Sequence, residues 1–308
     1  MRERINAAVL WARHHGDMPV GVVDVGSNTV RLHVTRAGRT VLSKREMLRL
    51  GADVEAAGRV SDTKLERVAD VVAGYVAEAR AAGVSAIEVL ITSPGRQAAN
   101  GAVLLARLEA AADAPARILS AAEEGRLAFV GALDIAAPGA RKTVAVIDVG
   151  GGSAQIVVGT RREGPHWSRS IDVGSQGLTS RLLSSDPPGA TAVGAARGEV
   201  ERYLDGFDAP AVQGAYAVGG SARSLKRIAG ARLDSGELED LLAILAMTPA
   251  REIGARHDIG DERARTLPAG AVILSAIQRH LGVPLKVVRG GLREGALLEL
   301  GETERAAA

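Results

Sequence analysis

The chain has no cysteine, which excludes a disulfide framework, a thiol nucleophile and a thiolate metal site. Aromatic residues make up only 2%, too few rings for a base-stacking nucleic-acid surface. No apolar run approaches the ~20 residues needed to span a bilayer. Neither nucleic acid nor membrane is therefore expected as a partner. Lysine is scarce: of 38 basic residues five are Lys (44, 64, 142, 226, 286), and the other 33 are Arg. Arg suits bidentate phosphate binding, although abundant Ala, Gly and Arg also fit a GC-rich coding sequence. The six His (14, 15, 33, 166, 257, 280) show no metal-ligand spacing. The net charge is only +2.

What is present describes a globular α/β protein. The 308 residues are 46% hydrophobic and 24% charged, enough chain for two cores of ~100–200 residues each. The first 18 residues set charges around a short apolar stretch, Ala7 to Ala12. That stretch is too short for a typical secretory signal. An extension over 1–18 and a cytoplasmic location are the expectations.

The chain also says nearly the same thing twice. It reads Val23-Asp24-Val25-Gly26-Ser27-Asn28-Thr29 and, 124 residues on, Ile147-Asp148-Val149-Gly150-Gly151-Gly152-Ser153. Each copy ends an apolar strand, bends through Gly and Ser, and returns along a second strand. Two similar domains sharing a cleft are expected, over 19–134 and 135–290. Strands are expected at 20–23, 30–34, 40–43, 87–92, 117–119, 143–148, 154–159, 167–172, 213–218 and 285–288. Helices are expected from Leu65 to Ala79 behind an N-cap at Ser61, then over 98–111, 121–133, 175–183, 190–205 and 221–229. Two or three more should fill 235–282, and a closing helix 293–300.

The chemistry-bearing residues sit in the turns. Gly26 permits a bend that a Cβ resists, and Ser27, Asn28 and Thr29 offer donors to phosphate oxygens. Asp24, at its strand end, can hold Mg²⁺ directly or through water. Three consecutive glycines, Gly150 to Gly152, suit a place where backbone meets a ligand closely. Gly219 and Ser221 open a helix whose N-terminus attracts anions, though Ser221 is equally a plain N-cap. Ser120 and Glu123 have capping-box spacing, which explains Glu123. It leaves Glu124, on a different helix face, to deprotonate a water or simply to lie in solvent. Arg31 and Arg96 are candidate phosphate ligands or surface arginines.

These segments, with Thr92-Ser93-Pro94-Gly95-Arg96, Leu267-Pro268-Ala269-Gly270-Ala271 and Gly291-Leu292-Arg293-Glu294-Gly295, occur in an order that resembles the exopolyphosphatase / guanosine pentaphosphate phosphohydrolase (Ppx/GppA) family. The resemblance covers about residues 20–300. It implies two ribonuclease-H-like domains of the actin-like ATPase superfamily with an interdomain cleft, and a helix over 291–308 returning to the first. It implies Mg²⁺- or Mn²⁺-dependent hydrolysis of terminal phosphate from polyphosphate or pppGpp, a stringent-response nucleotide. By resemblance Glu124 is catalytic and Asp24 and Asp148 serve the metal. Gly26, Ser27, Asn28, Arg96, Gly150, Gly151, Gly152 and Ser153 match the phosphate-binding positions. A homodimer is one expected assembly.

Three departures stand out. Gln155 replaces the family's usual Glu, and Ala222 replaces a usual Gly. The chain stops at Ala308, without the C-terminal helical domains of longer members, which points to short polyphosphate chains. A non-catalytic sensor of polyphosphate or (p)ppGpp is the expectation of another class.

Overall fold

The structure, a computed structural model, describes residues 18–307; the expected extension otherwise lies outside the described residues. The described chain divides into two compact units, one running to Ala137 and resuming at Leu292, the other spanning Pro138–Gly291.

In the first unit, β1 (Val20–Val25), β2 (Thr29–Arg36) and β3 (Arg39–Met47) form an antiparallel meander. β4 (Ala86–Ile91) and β5 (Ala116–Ile118) then join in parallel, giving the order β3-β2-β1-β4-β5. Successive strand residues face opposite sides. Val23 and Val25 therefore enter a core with Leu65, Val68 and Val72 of α2 (Asp62–Ala81) and Leu104 and Leu108 of α4 (Gly101–Ala112). The flanking α1 (Leu50–Ala57) and α3 (Ser93–Gln97) are short. Val20 and Val22 face the other side. There Leu127 of α5 (Ala121–Ala136) meets Leu292, Ala296 and Leu297 of α13 (Leu292–Ala307). Asp24 shares that second face, which brings it under the start of α13.

The second unit repeats the scheme. β6 (Val144–Val149), β7 (Ala154–Thr160) and β8 (Gly164–Ile171) are antiparallel, and β9 (Ala215–Val218) pairs parallel to β6. β11 (Leu285–Val287) follows β9, and the two-residue β10 (Arg232–Leu233) closes the edge. Both sheets thus have the ribonuclease-H-like order. Around this sheet lie α6 (Ser175–Leu182), α7 (Ala190–Tyr203), α8 (Gly219–Ala229), α9 (Ser235–Met247), α10 (Ala250–His257), α11 (Asp261–Arg265) and α12 (Leu267–Leu281). α12 is buried continuously from Leu267 to Gln278, as expected for a helix apolar on all sides.

Several sequence expectations shift. β3 runs to Met47 rather than Ser43. Ser61 makes no side-chain cap; its hydroxyl donates to Asp53 instead. The helix expected over 98–111 begins at Gly101, and a separate turn, α3, carries Arg96. Four helices rather than two or three fill 235–282, because Pro249 and Gly260 take the N-cap positions of α10 and α11. The closing helix continues to Ala307.

Candidate active site

The parallel strands of the first unit end in register. Val25 pairs with Ile91 and Ile91 with Ile118. The Thr92 amide then donates to Val25 O at 3.1 Å, and the Leu119 amide to Ile91 O at 2.9 Å. Three loops therefore leave the same sheet edge side by side: Gly26–Asn28, Thr92–Arg96 and Leu119–Glu124. In open α/β sheets this carboxyl edge is where ligands bind.

The first loop is closed by the Gly26 amide donating to Thr29 O at 3.1 Å. α1, which sequence reading missed, braces it from below. The amides of Leu48 and Arg49 both reach Asn28 O at 3.0 Å, and the Gly51 amide reaches Ser27 O at 2.8 Å. Ser27 is 4% exposed, and its hydroxyl shares a 2.7 Å hydrogen bond with that of Ser93. The Asn28 Oδ1 is buried with no hydrogen-bond partner among the described residues.

Glu124 is 8% exposed, so the alternative of a solvated carboxylate fails. Its neighbour explains why the two acids differ. Ser120 and Glu123 form the expected capping box, with the Glu123 amide donating to Ser120 Oγ at 3.2 Å and the Ser120 amide to Glu123 Oε2 at 2.9 Å. The bonds from the Ser120 side chain and amide hold the Glu123 carboxyl below its ordinary range, against burial, with Arg117 and Arg126 assisting. Glu124 turns inward instead, and its Oε2 lies 2.8 Å from Arg96 Nη2. Arg96 also donates to Leu119 O at 2.8 Å, so one guanidinium ties the second loop to the third.

Asp24 pairs with Arg293 at 3.1 Å, both side chains less than one-fifth exposed. The sequence marks the Gly291-to-Gly295 segment but assigns Arg293 no role. Arg31 lies opposite Asp24 on β2, and its Nε donates to Thr29 Oγ1 at 3.1 Å. A cavity of about 260 Å³ opens beside it, lined by Arg31, Leu32, Ser43, Lys44, Arg45 and Arg293. Burial holds the nearby His33 below its ordinary 6.5, Glu294 opposing and Arg293 reinforcing the shift.

The second unit places its candidates likewise at the ends of β6 and β9, where Asp148 pairs with Val218. Gly219 follows with φ +84°, and a Cβ on it would lie 2.4 Å from Asp148 Oδ1. Only glycine suits both the backbone angle and that contact. The Gly150 amide donates to Ser153 O at 2.9 Å, closing the glycine loop as Gly26 closes the first. The carbonyls of Gly150 and Gly151 accept from the amides of Ser175 and Gln176 at the start of α6, both at 2.9 Å. The glycine run thus serves internal packing as well as any ligand.

Ser153 is 1% exposed. Ser221 is fully buried inside α8, whose N-cap is Val218, so it is not the plain N-cap. A Cβ on Gly270 would lie 2.8 Å from Ser221 Cβ, which explains the glycine of α12's first turn by close packing. One further residue that sequence reading missed, Arg263, lies against Gly220.

Two like units, each ending paired strands in an Asp-bearing glycine turn, constrain the family. The sequence model of the Ppx/GppA phosphatase family matches residues 30–304. The chain belongs to the Ppx/GppA phosphatase family. Exopolyphosphatase 1 of Mycobacterium leprae is 26% identical over 309 residues, covering 93% of this chain and 91% of that protein. The guanosine-5'-triphosphate,3'-diphosphate pyrophosphatase of Aeromonas hydrophila is 25% identical, covering 93% of this chain and 60% of that protein. The Aquifex aeolicus PPX-GPPA enzyme superposes with a TM-score of 0.76 at 25% identity, covering 92% of this chain and 99% of the other. The fold is thus the Ppx/GppA fold, and the chain is a phosphatase-family hydrolase. No helix among the described residues is long and apolar enough to cross a membrane.

Among the described residues no three His, Asp or Glu side chains gather to make a metal cage. Mg²⁺ does not require one. It takes one or two carboxylates and completes its shell with water and substrate phosphate. Within its own unit, Asp24 at the end of β1 and Asp148 at the end of β6 each offer one carboxylate of that kind.

Proposed function

We propose that this Ppx/GppA chain is an exopolyphosphatase that hydrolyses the terminal phosphoanhydride of short inorganic polyphosphate. The observation that carries the reading is Glu124, a buried carboxylate on the ligand-binding edge of its sheet, oriented by Arg96 and spared from helix capping by Glu123. In this reading the Gly26–Asn28 loop and the Gly150–Ser153 loop each offer backbone amides and hydroxyls to a phosphoryl group of the substrate. Arg96 and Arg31 supply positive charge to its oxygens.

Glu124 accepts a proton from water as the water oxygen bonds to phosphorus. The bridging P–O bond then breaks, and its electrons leave with the shortened chain. Asp24 and Asp148 are each a carboxylate that would hold Mg²⁺ or Mn²⁺, and such an ion would neutralise charge on the phosphate oxygens when bound. The basic cavity beside Arg31 suits a polyanionic substrate.

A second reading, 5'-phosphate removal from pppGpp, is favoured by the likeness to the Aeromonas hydrophila protein. Competition between tripolyphosphate and pppGpp in one phosphate-release assay decides between them. Polyphosphate should have the higher kcat/KM; a preference for pppGpp reverses the assignment. Tight binding of either without turnover would support the sensor instead.

A further inference from the structure

The 124-residue echo extends to one hydrogen bond that neither loop's glycines require. In the first unit Arg31 Nε donates to Thr29 Oγ1 at 3.1 Å. In the second, at the equivalent positions, Gln155 Nε2 donates to Ser153 Oγ at 2.9 Å. Arg31 stands opposite Asp24, and Gln155 opposite Asp148. A guanidinium has no acceptor, so Thr29 must take its hydrogen. The hydroxyl hydrogen of Thr29 therefore points elsewhere.

Gln155 produces the same polarity with an uncharged amide and at a cost. It is 2% exposed, its Nε2 also approaches Ser170 Oγ at 3.4 Å, and its Oε1 has no hydrogen-bond partner among the described residues. A stranded buried acceptor is destabilising and calls for a reason.

We propose that Gln155 is a positioning residue: its N–H occupies a lone pair of Ser153 Oγ and so presents that hydroxyl as a donor to a phosphate oxygen. Arg31 acts on Thr29 in the same way. The inference rests on the phosphate-binding reading of the two loops. It also gives the departure at 155 a purpose. An amide holds the hydroxyl toward an anion, whereas a carboxylate would take the hydroxyl's hydrogen for itself.

The test is a double-mutant cycle on the full chain. It is read by calorimetric binding of inorganic phosphate and by KM and kcat for tripolyphosphate. Gln155→Met removes the donor and the stranded oxygen together, so its melting temperature should not fall. It should weaken phosphate binding and raise KM by about 3- to 10-fold, the scale of one hydrogen bond, with kcat within about twofold. In a Ser153→Ala background the same change should have no effect. Gln155→Glu, whose carboxylate accepts but does not donate, should lose more than Gln155→Met.

An equal loss with and without Ser153, or no loss at all, overturns the inference while leaving phosphate binding intact. A wild-type chain that binds no phosphate overturns the reading of the loops beneath it.

Discussion

Glu123 and Glu124 are chemically identical and adjacent, yet one closes a helix and the other faces an arginine. The sequence separates them by spacing alone, because a capping box accounts for the residue three after Ser120 and leaves the next unexplained. What spacing does not reveal is Arg96, placed on Glu124 by the junction of two loops. Glu124→Gln should lower phosphate release by about 10²–10⁴-fold with the fold intact by circular dichroism; undiminished release removes the assigned base. Arg293 was less legible still, since its partner Asp24 lies 269 residues away in the chain. Arg293→Met leaves that carboxylate enclosed without its cation. Denaturant unfolding should show a loss of about 2–3 kcal/mol, below the usual range for fully buried pairs because both groups keep some exposure.

Among the elements, strands read well because their alternation is local. α1 and α3 escaped notice for local reasons too. α1 starts from a left-handed Arg49 with no side-chain cap, and α3 contains the Pro94-Gly95 pair that ordinarily marks a turn. Both matter to the site, one bracing the first loop and the other carrying Arg96.

The capping box of α5 was legible, and Ser120→Ala should cost about 1 kcal/mol of stability by thermal unfolding. Because Ser120 holds the Glu123 carboxyl below its ordinary value, its contribution is fully present above that value. It is lost as pH falls through the lower, folded one. The deficit of Ser120→Ala should therefore be full at pH 7 and narrow below about pH 4; a deficit unchanged in acid contradicts this. The packing of α13 on α5 is tighter than sequence suggests. A Cβ on Gly295 would lie 2.0 Å from Leu127 O, a backbone atom that cannot step aside. Gly295→Ala should lose about 3 kcal/mol or more in denaturant unfolding; wild-type stability would show that α13 packs elsewhere.

At the scale of the molecule the duplication was the clearest signal. It persists into the sheet order, the Gly26 and Gly150 amide closures and the paired hydroxyl contacts. Family membership follows from the match over 30–304. The substrate was not legible to the same degree, because phosphate loops of this kind recognise phosphoryl groups whatever they are attached to. The account's central claim is that each acidic turn is needed for phosphate release. Its most direct test is Mg²⁺-dependent phosphate release from tripolyphosphate by Asp24→Asn and Asp148→Asn chains, each assayed alone. Either substitution should cut release at least about 100-fold, the scale of losing one group that stabilises the transition state. Full activity in one of the two variants would show that its loop stands outside the reaction, and would contradict the account.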